Sequence, residues 1–222
     1  MPVEKFAASR HTEQDFAPSA DRLFRDPKID WRNTRPRAKF TIRGKNAPLM
    51  PARIVILSGP VGSGKTTVAR ELLALLPSPA AYIEGDTFWS FLVKGSSRGP
   101  TPESFRAIMA SMTAAAVPLA TGGRHVLLDF SIPPWFLGTA KAIASVRQLP
   151  VHFVVLRPSQ AVCAQRAATR SAGAIADYAR FQDLYHDFDN VGVHAVCDDT
   201  ASPSETARAI MSGIEAGQFL VR

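Results

Sequence analysis

The sequence has only two cysteines and no long apolar run, and both absences narrow the class of protein. No hydrophobic stretch approaches the roughly 18 residues that a membrane span needs. The first residues, Met-Pro-Val-Glu-Lys-Phe, contain no apolar signal-peptide core. Cys163 and Cys197 lack the spacing of a zinc site, so we expect free thiols. We therefore expect a cytoplasmic protein without membrane contact.

Several catalytic signatures are also missing. No Ser-His-Asp order with a nucleophile elbow occurs, which argues against a serine hydrolase. No internal repeat and no ABC-type signature were found. The histidines form no pair with metal-ligand or triad spacing: His11, His125, His152, His186 and His194.

Positive charge is concentrated in the first 50 residues. They hold 11 Lys and Arg against 6 Asp and Glu, whereas residues 51–222 hold 15 against 13, within a net charge of +7. Two interpretations stay open: a solvated, partly disordered tail, or an arm that contacts a polyanion such as RNA, DNA or an acidic partner. We predict a basic N-terminal extension over residues 1–50 and a folded domain over residues 51–222.

From residue 52 onward, short apolar runs alternate with helical spacing. The predicted helices include one from Pro102 to about Gly122, one over Ala161–Arg170, one over Ile175–Phe188, and a last one that Ser202 caps. The predicted strands cover residues 54–57, 80–83, 125–129, 151–156 and 193–196. This alternation predicts an α/β fold whose parallel sheet is covered by helices on both faces.

The most informative segment is Gly59–Thr66, Gly-Pro-Val-Gly-Ser-Gly-Lys-Thr, which fits the phosphate-binding motif G-x-x-x-x-G-K-[ST]. Glycines let the backbone fold closely around a polyphosphate, so that N–H groups point inward. Lys65 can reach the β- and γ-phosphates, and the Thr66 hydroxyl can ligate Mg²⁺. The predicted nucleotide-binding residues are Gly59, Pro60, Val61, Gly62, Ser63, Gly64, Lys65, Thr66 and Thr67.

Two carboxylates follow predicted strands that should flank this loop. Asp129 ends the third strand, where it would complete the Mg²⁺ site that Thr66 begins; the alternative is a loop cap. Asp86 follows the second strand, where it can orient and deprotonate an attacking hydroxyl; the alternative is a helix N-cap. We expect both near the loop because ligands bind at the carboxyl ends of parallel strands.

Two arginines, Arg166 and Arg170, are spaced i and i+4 on the helix predicted after the fourth strand. Guanidinium groups on one face could close over the phosphates and stabilise the charge on the transferring group. The alternative is a solvated pair near a helix C-terminus, where the dipole favours cations. Arg180 is a further candidate for the same role. The predicted catalytic residues are Lys65, Asp86, Arg166 and Arg170.

In their order along the chain, Gly59–Thr67, Glu84-Gly85-Asp86-Thr87-Phe88-Trp89 and Leu127-Leu128-Asp129 resemble the small P-loop kinases. These include shikimate and gluconate kinases, chloramphenicol phosphotransferase and zeta-toxin-like kinases; polynucleotide 5′-hydroxyl kinase domains share the order. The resemblance covers about residues 52–216. It implies a P-loop NTPase fold with strand order 2-3-1-4-5, ATP and Mg²⁺ as cofactors, and an arginine-bearing lid after the fourth strand.

Two functions remain after this comparison. The first is an ATP-dependent phosphotransferase that acts on a hydroxyl of a small molecule. The predicted acceptor segments contain aromatic residues and two basic ones, which could bind such an acceptor: Phe88, Trp89, Phe91, Lys94, Arg98, Trp135 and Phe136. The second is a P-loop NTPase that acts on or is regulated by nucleic acid, or a regulatory ATPase. The guanine-recognition motif Asn-Lys-x-Asp is absent, which favours ATP.

Overall fold

A five-stranded parallel sheet forms the centre of the computed structural model, which describes residues 52–92, 101–171 and 173–222. Each neighbouring pair of strands is parallel, and the order is β2-β3-β1-β4-β5. The α/β fold and the strand order are as predicted. The strands are β1 (Ile54–Ser58), β2 (Ala80–Glu84), β3 (His125–Asp129), β4 (Val151–Leu156) and β5 (Ala195–Val196).

Helices connect the strands, and short 3₁₀ turns lead into several of them. The two longest helices begin at the predicted caps, because Thr101 and Ser202 each form a reciprocal capping box with the residue three positions later. The α-helices are α1 (Lys65–Leu75), α2 (Pro102–Thr121), α3 (Leu137–Ser145), α4 (Gln160–Ala168), α5 (Gln182–His186) and α6 (Pro203–Glu215).

Helices pack on both faces of the sheet, and the alternation of side chains along β1 shows why. Ile54 and Ile56 pack with α2 and α3, whereas Val55 and Leu57 pack with α1 and α6. All four side chains are fully buried. A strand that is apolar on both faces is typical of a parallel sheet covered on both sides. The carboxyl ends of the strands are left as the edge where polar side chains collect.

Two predicted helices have different bounds. Helix α4 ends at Ala168, so Arg170 lies beyond it, in a turn where the Thr169 hydroxyl donates to the Gln165 carbonyl at 3.0 Å. The predicted helix over residues 175–188 is wrong in its first part. Asp177 accepts a hydrogen bond from the Ala179 amide at 2.9 Å, and this side-chain turn replaces the first helical hydrogen bonds. A 3₁₀ turn then leads into α5.

The fifth strand is also shorter than predicted. Only Ala195–Val196 pairs with β4, although the pattern indicated residues 193–196. A 3₁₀ turn over Gly192–His194 precedes it, and Gly192 has a φ of 55° that a strand residue does not adopt. The His194 ring nitrogen Nδ1 is 3.0 Å from the Phe153 carbonyl, so tertiary contact fixes this turn.

Some predictions fall on residues 1–51, 93–100 and 172, which lie outside the described residues. They concern the basic extension with its polyanion contact, and Lys94 and Arg98 on the acceptor side. The division into an extension over residues 1–50 and a domain over residues 51–222 stays a prediction. Among the residues described, no helix combines the length and the apolar character needed to cross a bilayer.

Candidate active site

A pocket of about 410 Å³ lies at the carboxyl ends of β1, β2 and β3. Open α/β sheets bind ligands at this edge. The pocket brings together residues to which the sequence assigned chemistry, although they are up to 109 positions apart, from Val61 to Arg170. Its wall includes Val61, Gly62, Gly64, Lys65, Thr66, Thr67, Asp86, Asp129, Arg166 and Arg170.

The phosphate loop wraps one end of this pocket with its backbone. Gly59 and Gly62 have φ angles of 143° and 80°, which residues with a Cβ rarely adopt. A Cβ on Gly59 would collide with the Leu156 carbonyl, and a Cβ on Gly62 with the Cys163 carbonyl. The loop is therefore packed tightly against the end of β4 and against α4, and only glycine fits at these two positions.

Lys65, the first residue of α1, is partly buried at the base of the pocket. Its ammonium group donates to the carbonyl oxygens of Gly59 and Pro60, at 3.0 and 2.9 Å. Burial lowers the pKa of Lys65, and the carboxylates of Asp129 and Asp86 oppose that shift. The cation thus lies between the phosphate loop and both predicted carboxylates, where an anionic phosphate would neutralise it.

Asp86 belongs to a 3₁₀ helix, Gly85–Phe91, that directly continues β2. The N-cap of this helix is Glu84, whose carbonyl accepts a hydrogen bond from the Thr87 hydroxyl at 2.6 Å. Asp86 is therefore not the cap. Its side chain lines the pocket. The loss of hydration there disfavours the charged form and raises the pKa of the Asp86 carboxyl. Asp129 adds to this rise and Lys65 opposes it. A carboxylate with a raised pKa is a stronger base.

Asp129, the last residue of β3, is 4% exposed and accepts a hydrogen bond from the Tyr82 hydroxyl through Oδ2 at 3.0 Å. Thr66 presents a hydroxyl to the same pocket. Oxygen donors of this kind are what Mg²⁺ prefers, so the donor chemistry at this end of the pocket fits the ion. The assigned roles of Thr66 and Asp129 as metal-binding residues stay predictions.

The two predicted lid arginines reach the pocket from different local structures. Arg166 projects from α4 and donates to the Ser63 carbonyl at 3.4 Å and to the Asp199 carbonyl at 3.5 Å. Arg170 lies in the turn after α4 and also lines the pocket. Arg180 instead packs against the Phe181 ring, with 4.9 Å between guanidinium and ring centre, and does not line the pocket.

A second pocket of about 320 Å³ adjoins the first and shares Gly64, Thr67 and Arg166 with it. Its other walls come from the start of α6 and from two further segments, one around Pro158 and one around Asp198. A ligand with a phosphate chain in the first pocket could extend its remaining part into the second. Of the rest of the predicted nucleotide set, Ser63 lines the second pocket, whereas Gly59 and Pro60 line neither of the two.

Several aromatic side chains lie in the segments that follow β2 and β3 in the chain. Phe130 lines the first pocket, and Phe105 packs against it with 5.3 Å between ring centres. Phe91 and Trp135 are 67% and 52% exposed, which is high for such large apolar side chains. Phe130 thus brings one ring to the pocket wall, and Phe105 packs against it.

Sequence reasoning missed Tyr82 and Tyr178, both of which contact the predicted site. Tyr82 is a diagonal neighbour of Asp129 on the adjacent strand, so the register of β2 with β3 could have indicated this contact. Tyr178 donates to the Val61 carbonyl at 2.7 Å across 117 positions. No local pattern predicts a contact of that separation.

Comparison with known proteins identifies the family and the fold of this chain. A family model described as an AAA domain matches residues 54–188. No curated protein matches the chain significantly in sequence.

Solved structures with the same fold include three kinases. An APS kinase of Mycobacterium tuberculosis, in complex with AMPPNP and APS, superposes with a TM-score of 0.60 at 20% identity, covering 74% of this chain and 98% of that one. A sugar kinase of Janibacter sp. HTCC2649 gives 0.58 at 17% identity, over 74% and 95%. A gluconokinase of Sinorhizobium meliloti 1021 gives 0.52 at 20% identity, over 75% and 93%.

These likenesses establish the fold, and the family match extends over more than half of the chain. The predicted resemblance to small P-loop kinases is therefore confirmed in family and fold. The chain belongs to this AAA domain family and has the fold of the P-loop kinases.

Proposed function

We propose that the protein is an ATP-dependent kinase that transfers the γ-phosphoryl group to a hydroxyl group of a small molecule. One observation carries this proposal: Lys65, Asp86, Asp129 and the two arginines line a single pocket with the phosphate loop. A carboxylate beside the phosphate loop suits an enzyme that must activate an acceptor hydroxyl. The likeness to solved kinases supports the same reaction class.

The donor nucleotide would bind with its phosphate chain in the loop. Backbone N–H groups and the amino end of α1 provide partial positive charge for the phosphates. Lys65 would exchange its two carbonyl partners for phosphate oxygens, which are stronger acceptors because they carry charge. The adjoining pocket of about 320 Å³ would hold the nucleoside.

Thr66 and Asp129 would hold Mg²⁺ together with the phosphates. When bound, the ion neutralises phosphate charge and orients the transferring group. Tyr82 keeps the Asp129 carboxylate in one orientation through its 3.0 Å hydrogen bond.

Asp86 would accept the proton of the acceptor hydroxyl. The acceptor oxygen then forms a bond to the γ-phosphorus, and the bond from that phosphorus to the bridging oxygen of ADP breaks. Lys65, Arg166 and Arg170 would stabilise the negative charge on the transferring group. Positioning and electrostatics are the main contributions of the protein to such a transfer.

The acceptor would enter between the segments that follow β2 and β3. Phe130 forms part of the wall there, and Phe91 and Trp135 are exposed nearby in the chain. Aromatic faces of this kind bind rings and other apolar groups. We therefore propose an acceptor with both a hydroxyl group and an apolar or ring portion.

A screen for phosphorylated products tests this function. The protein is incubated with ATP, Mg²⁺ and a library of metabolites, antibiotics and 5′-hydroxyl oligonucleotides, and mass spectrometry detects products. We expect a phosphorylated small molecule that Lys65→Ala does not form. Product formed only from oligonucleotides would favour the nucleic-acid alternative. ATP hydrolysis without any phosphorylated product would favour a regulatory ATPase.

A further inference from the structure

The phosphate loop has a second set of contacts on the side that faces away from the pocket. The Tyr178 hydroxyl donates to the Val61 carbonyl at 2.7 Å. Gly62, the next residue, packs against the backbone carbonyl of Cys163 in α4. Val61 and Gly62 line the pocket, whereas Tyr178 and Cys163 do not. The peptide that joins Val61 to Gly62 is therefore held from outside the pocket.

The planarity of this peptide links the outer contact to the inner surface. In a trans peptide unit, the C=O and N–H groups point in opposite directions. Because the Val61 carbonyl is directed at Tyr178, the Gly62 N–H is directed to the opposite side, where the pocket lies. That N–H is one of the donors that a phosphate loop offers to its ligand.

We propose that Tyr178 is a positioning residue for phosphate binding, which acts by fixing the Val61–Gly62 peptide so that the Gly62 N–H faces the phosphate chain. The inference rests on the proposed function only in requiring that the pocket bind a polyphosphate. Tyr178 itself touches no ligand in this account. Its effect passes through one hydrogen bond to one backbone peptide.

The surroundings of Tyr178 suit such a role. Its side chain is 8% exposed and packs in a cluster with Cys163, Ala167 and Ile175, so the ring has little freedom to move. Burial raises the pKa of the Tyr178 hydroxyl, so the group remains a donor throughout the physiological range. The Ile175 amide donates to the Ala167 carbonyl at 3.0 Å, which ties the segment that carries Tyr178 to α4.

The loop needs an external constraint at this point because glycine imposes little of its own. Gly62 has a φ of 80°, and glycine adopts positive and negative φ with similar ease. If the peptide rotated, the Val61 carbonyl would face the phosphates, and its partial negative charge would repel them. A hydrogen bond from a buried hydroxyl opposes that rotation. Its loss should therefore weaken phosphate binding and leave nucleoside binding unchanged.

Tyr178→Phe tests this inference, because it removes the hydroxyl and keeps the ring. Tyr185→Phe is the matched control: Tyr185 is 5% exposed in the same cluster, and its hydroxyl donates to the Pro158 carbonyl at 3.0 Å, outside the phosphate loop. The probes are inorganic tripolyphosphate, ATP and adenosine, with affinities measured by calorimetry or NMR titration of the full chain.

We expect Tyr178→Phe to weaken binding of tripolyphosphate and ATP about threefold to tenfold, as for the loss of one hydrogen bond. Adenosine affinity should stay unchanged in Tyr178→Phe. Tyr185→Phe should bind tripolyphosphate like the unaltered protein, and tripolyphosphate is the probe for this control because Pro158 lines the second pocket. Undiminished tripolyphosphate affinity in Tyr178→Phe would overturn the inference, and so would an equal loss of tripolyphosphate affinity in Tyr185→Phe. If the unaltered protein binds neither tripolyphosphate nor ATP, the proposed function fails together with the inference.

A measurement on the unaltered protein tests the same geometry without any substitution. The amide proton resonance of Gly62 should move downfield when tripolyphosphate is added, because its N–H then donates to a charged oxygen. An unshifted Gly62 resonance at saturating tripolyphosphate would contradict the proposed orientation of this peptide.

Discussion

The two ends of the pocket are built in different ways. The proposed donor end, Gly59–Thr67, consists largely of backbone groups that contacts from outside the pocket hold in place. The proposed acceptor end is lined by side chains, among them Asp86 on a 3₁₀ helix and Phe130 after β3. A backbone cradle recognises any phosphate chain, whereas side chains can change without altering the fold. The difference indicates that donor and acceptor recognition are separable, and substitutions can test this.

The largest effect is expected at the donor end. Lys65→Ala should abolish detectable transfer, a loss of at least about a thousandfold, because it removes the ammonium group that lies against the loop carbonyls, where the phosphates would bind. ATP affinity should fall as well. Steady-state kinetics and calorimetry measure the two losses. Lys141→Ala, which changes an exposed lysine of α3, is the control and should leave both unchanged. Retained transfer in Lys65→Ala would contradict the role of the loop.

A change at the acceptor end should separate binding from transfer. Asp86→Asn keeps the shape of the side chain and removes its capacity to accept a proton, so the transfer rate should fall about a thousandfold. ATP affinity should change less than about threefold, because among the described residues no hydrogen bond joins Asp86 to the phosphate loop, and Asp86 interacts with Lys65 through charge alone. Single-turnover kinetics and calorimetry provide the two readouts. Asp187→Asn, at an exposed position of α5's C-cap, is the control. A parallel loss of ATP affinity would break the separation.

Arg166 and Arg170 line the same pocket and should affect transfer more than binding. Arg166→Ala should lower kcat about a hundredfold, because it removes a cation placed near the transferring group. Part of the loss would come from its contact with the Ser63 carbonyl. Arg180→Ala should have no effect on kcat, since this side chain lies on Phe181 and outside the pocket. A larger loss in Arg180→Ala than in Arg166→Ala would reverse the lid assignment.

A smaller effect is expected where Tyr82 orients Asp129. Tyr82→Phe should raise the Mg²⁺ concentration needed for half-maximal ATP binding about threefold to tenfold, as for one hydrogen bond. ATP affinity measured in EDTA should be unchanged, since the effect acts on the metal-associated carboxylate alone. Loss of affinity in EDTA as well would indicate a general structural role for Tyr82.

The smallest effect on the site is expected from His152, which lies in β4 away from both ends of the pocket. Burial is the main cause that lowers the pKa of His152 to about 4 from its ordinary value near 6.5, with Arg53 contributing. The unfolded chain therefore binds a proton between pH 6.5 and 4 that the folded state does not. Stability is complete above about pH 6.5 and falls as the pH drops toward 4, by roughly 2–3 kcal/mol.

His152→Asn should remove most of this acid sensitivity, as measured by urea unfolding at a series of pH values. Transfer at neutral pH should be unchanged in the variant. If the pH dependence of unfolding is the same in His152→Asn, buried His152 is not its source.

The elements that carry their own local sequence signals could be predicted. The phosphate loop, the first four strands and the capped helices α2 and α6 follow from motif, alternation and capping residues within short windows. The segment from Thr169 to His194 was harder. There, Asp177 forms a turn with Ala179, Tyr178 reaches the phosphate loop, and His194 contacts Phe153. The first contact is local, whereas the other two join distant parts of the chain, and together they override helical or strand spacing.

The site shows the same division. Lys65, Thr66, Asp86 and Asp129 could be placed at one edge because parallel strands bring their carboxyl ends together. The positions of the arginines were predicted less well, since α4 ends before Arg170. Tyr82 and Tyr178 were missed because each acts through a neighbour on another element. Residues such as Tyr82 and Tyr178, which position other residues of the site, depend on tertiary contacts that no local motif encodes.

The fate of the γ-phosphoryl group distinguishes transfer to an acceptor hydroxyl from hydrolysis of ATP. ATP labelled with ¹⁸O in its γ-phosphoryl group is incubated with the protein, Mg²⁺ and the acceptor found by screening, and mass spectrometry follows the label. We expect the label to appear on the acceptor hydroxyl, together with an equal amount of ADP. Asp86→Asn should form less of this product and should still bind ATP. Label found only in inorganic phosphate, whatever hydroxyl compound is supplied, would contradict the proposed transfer.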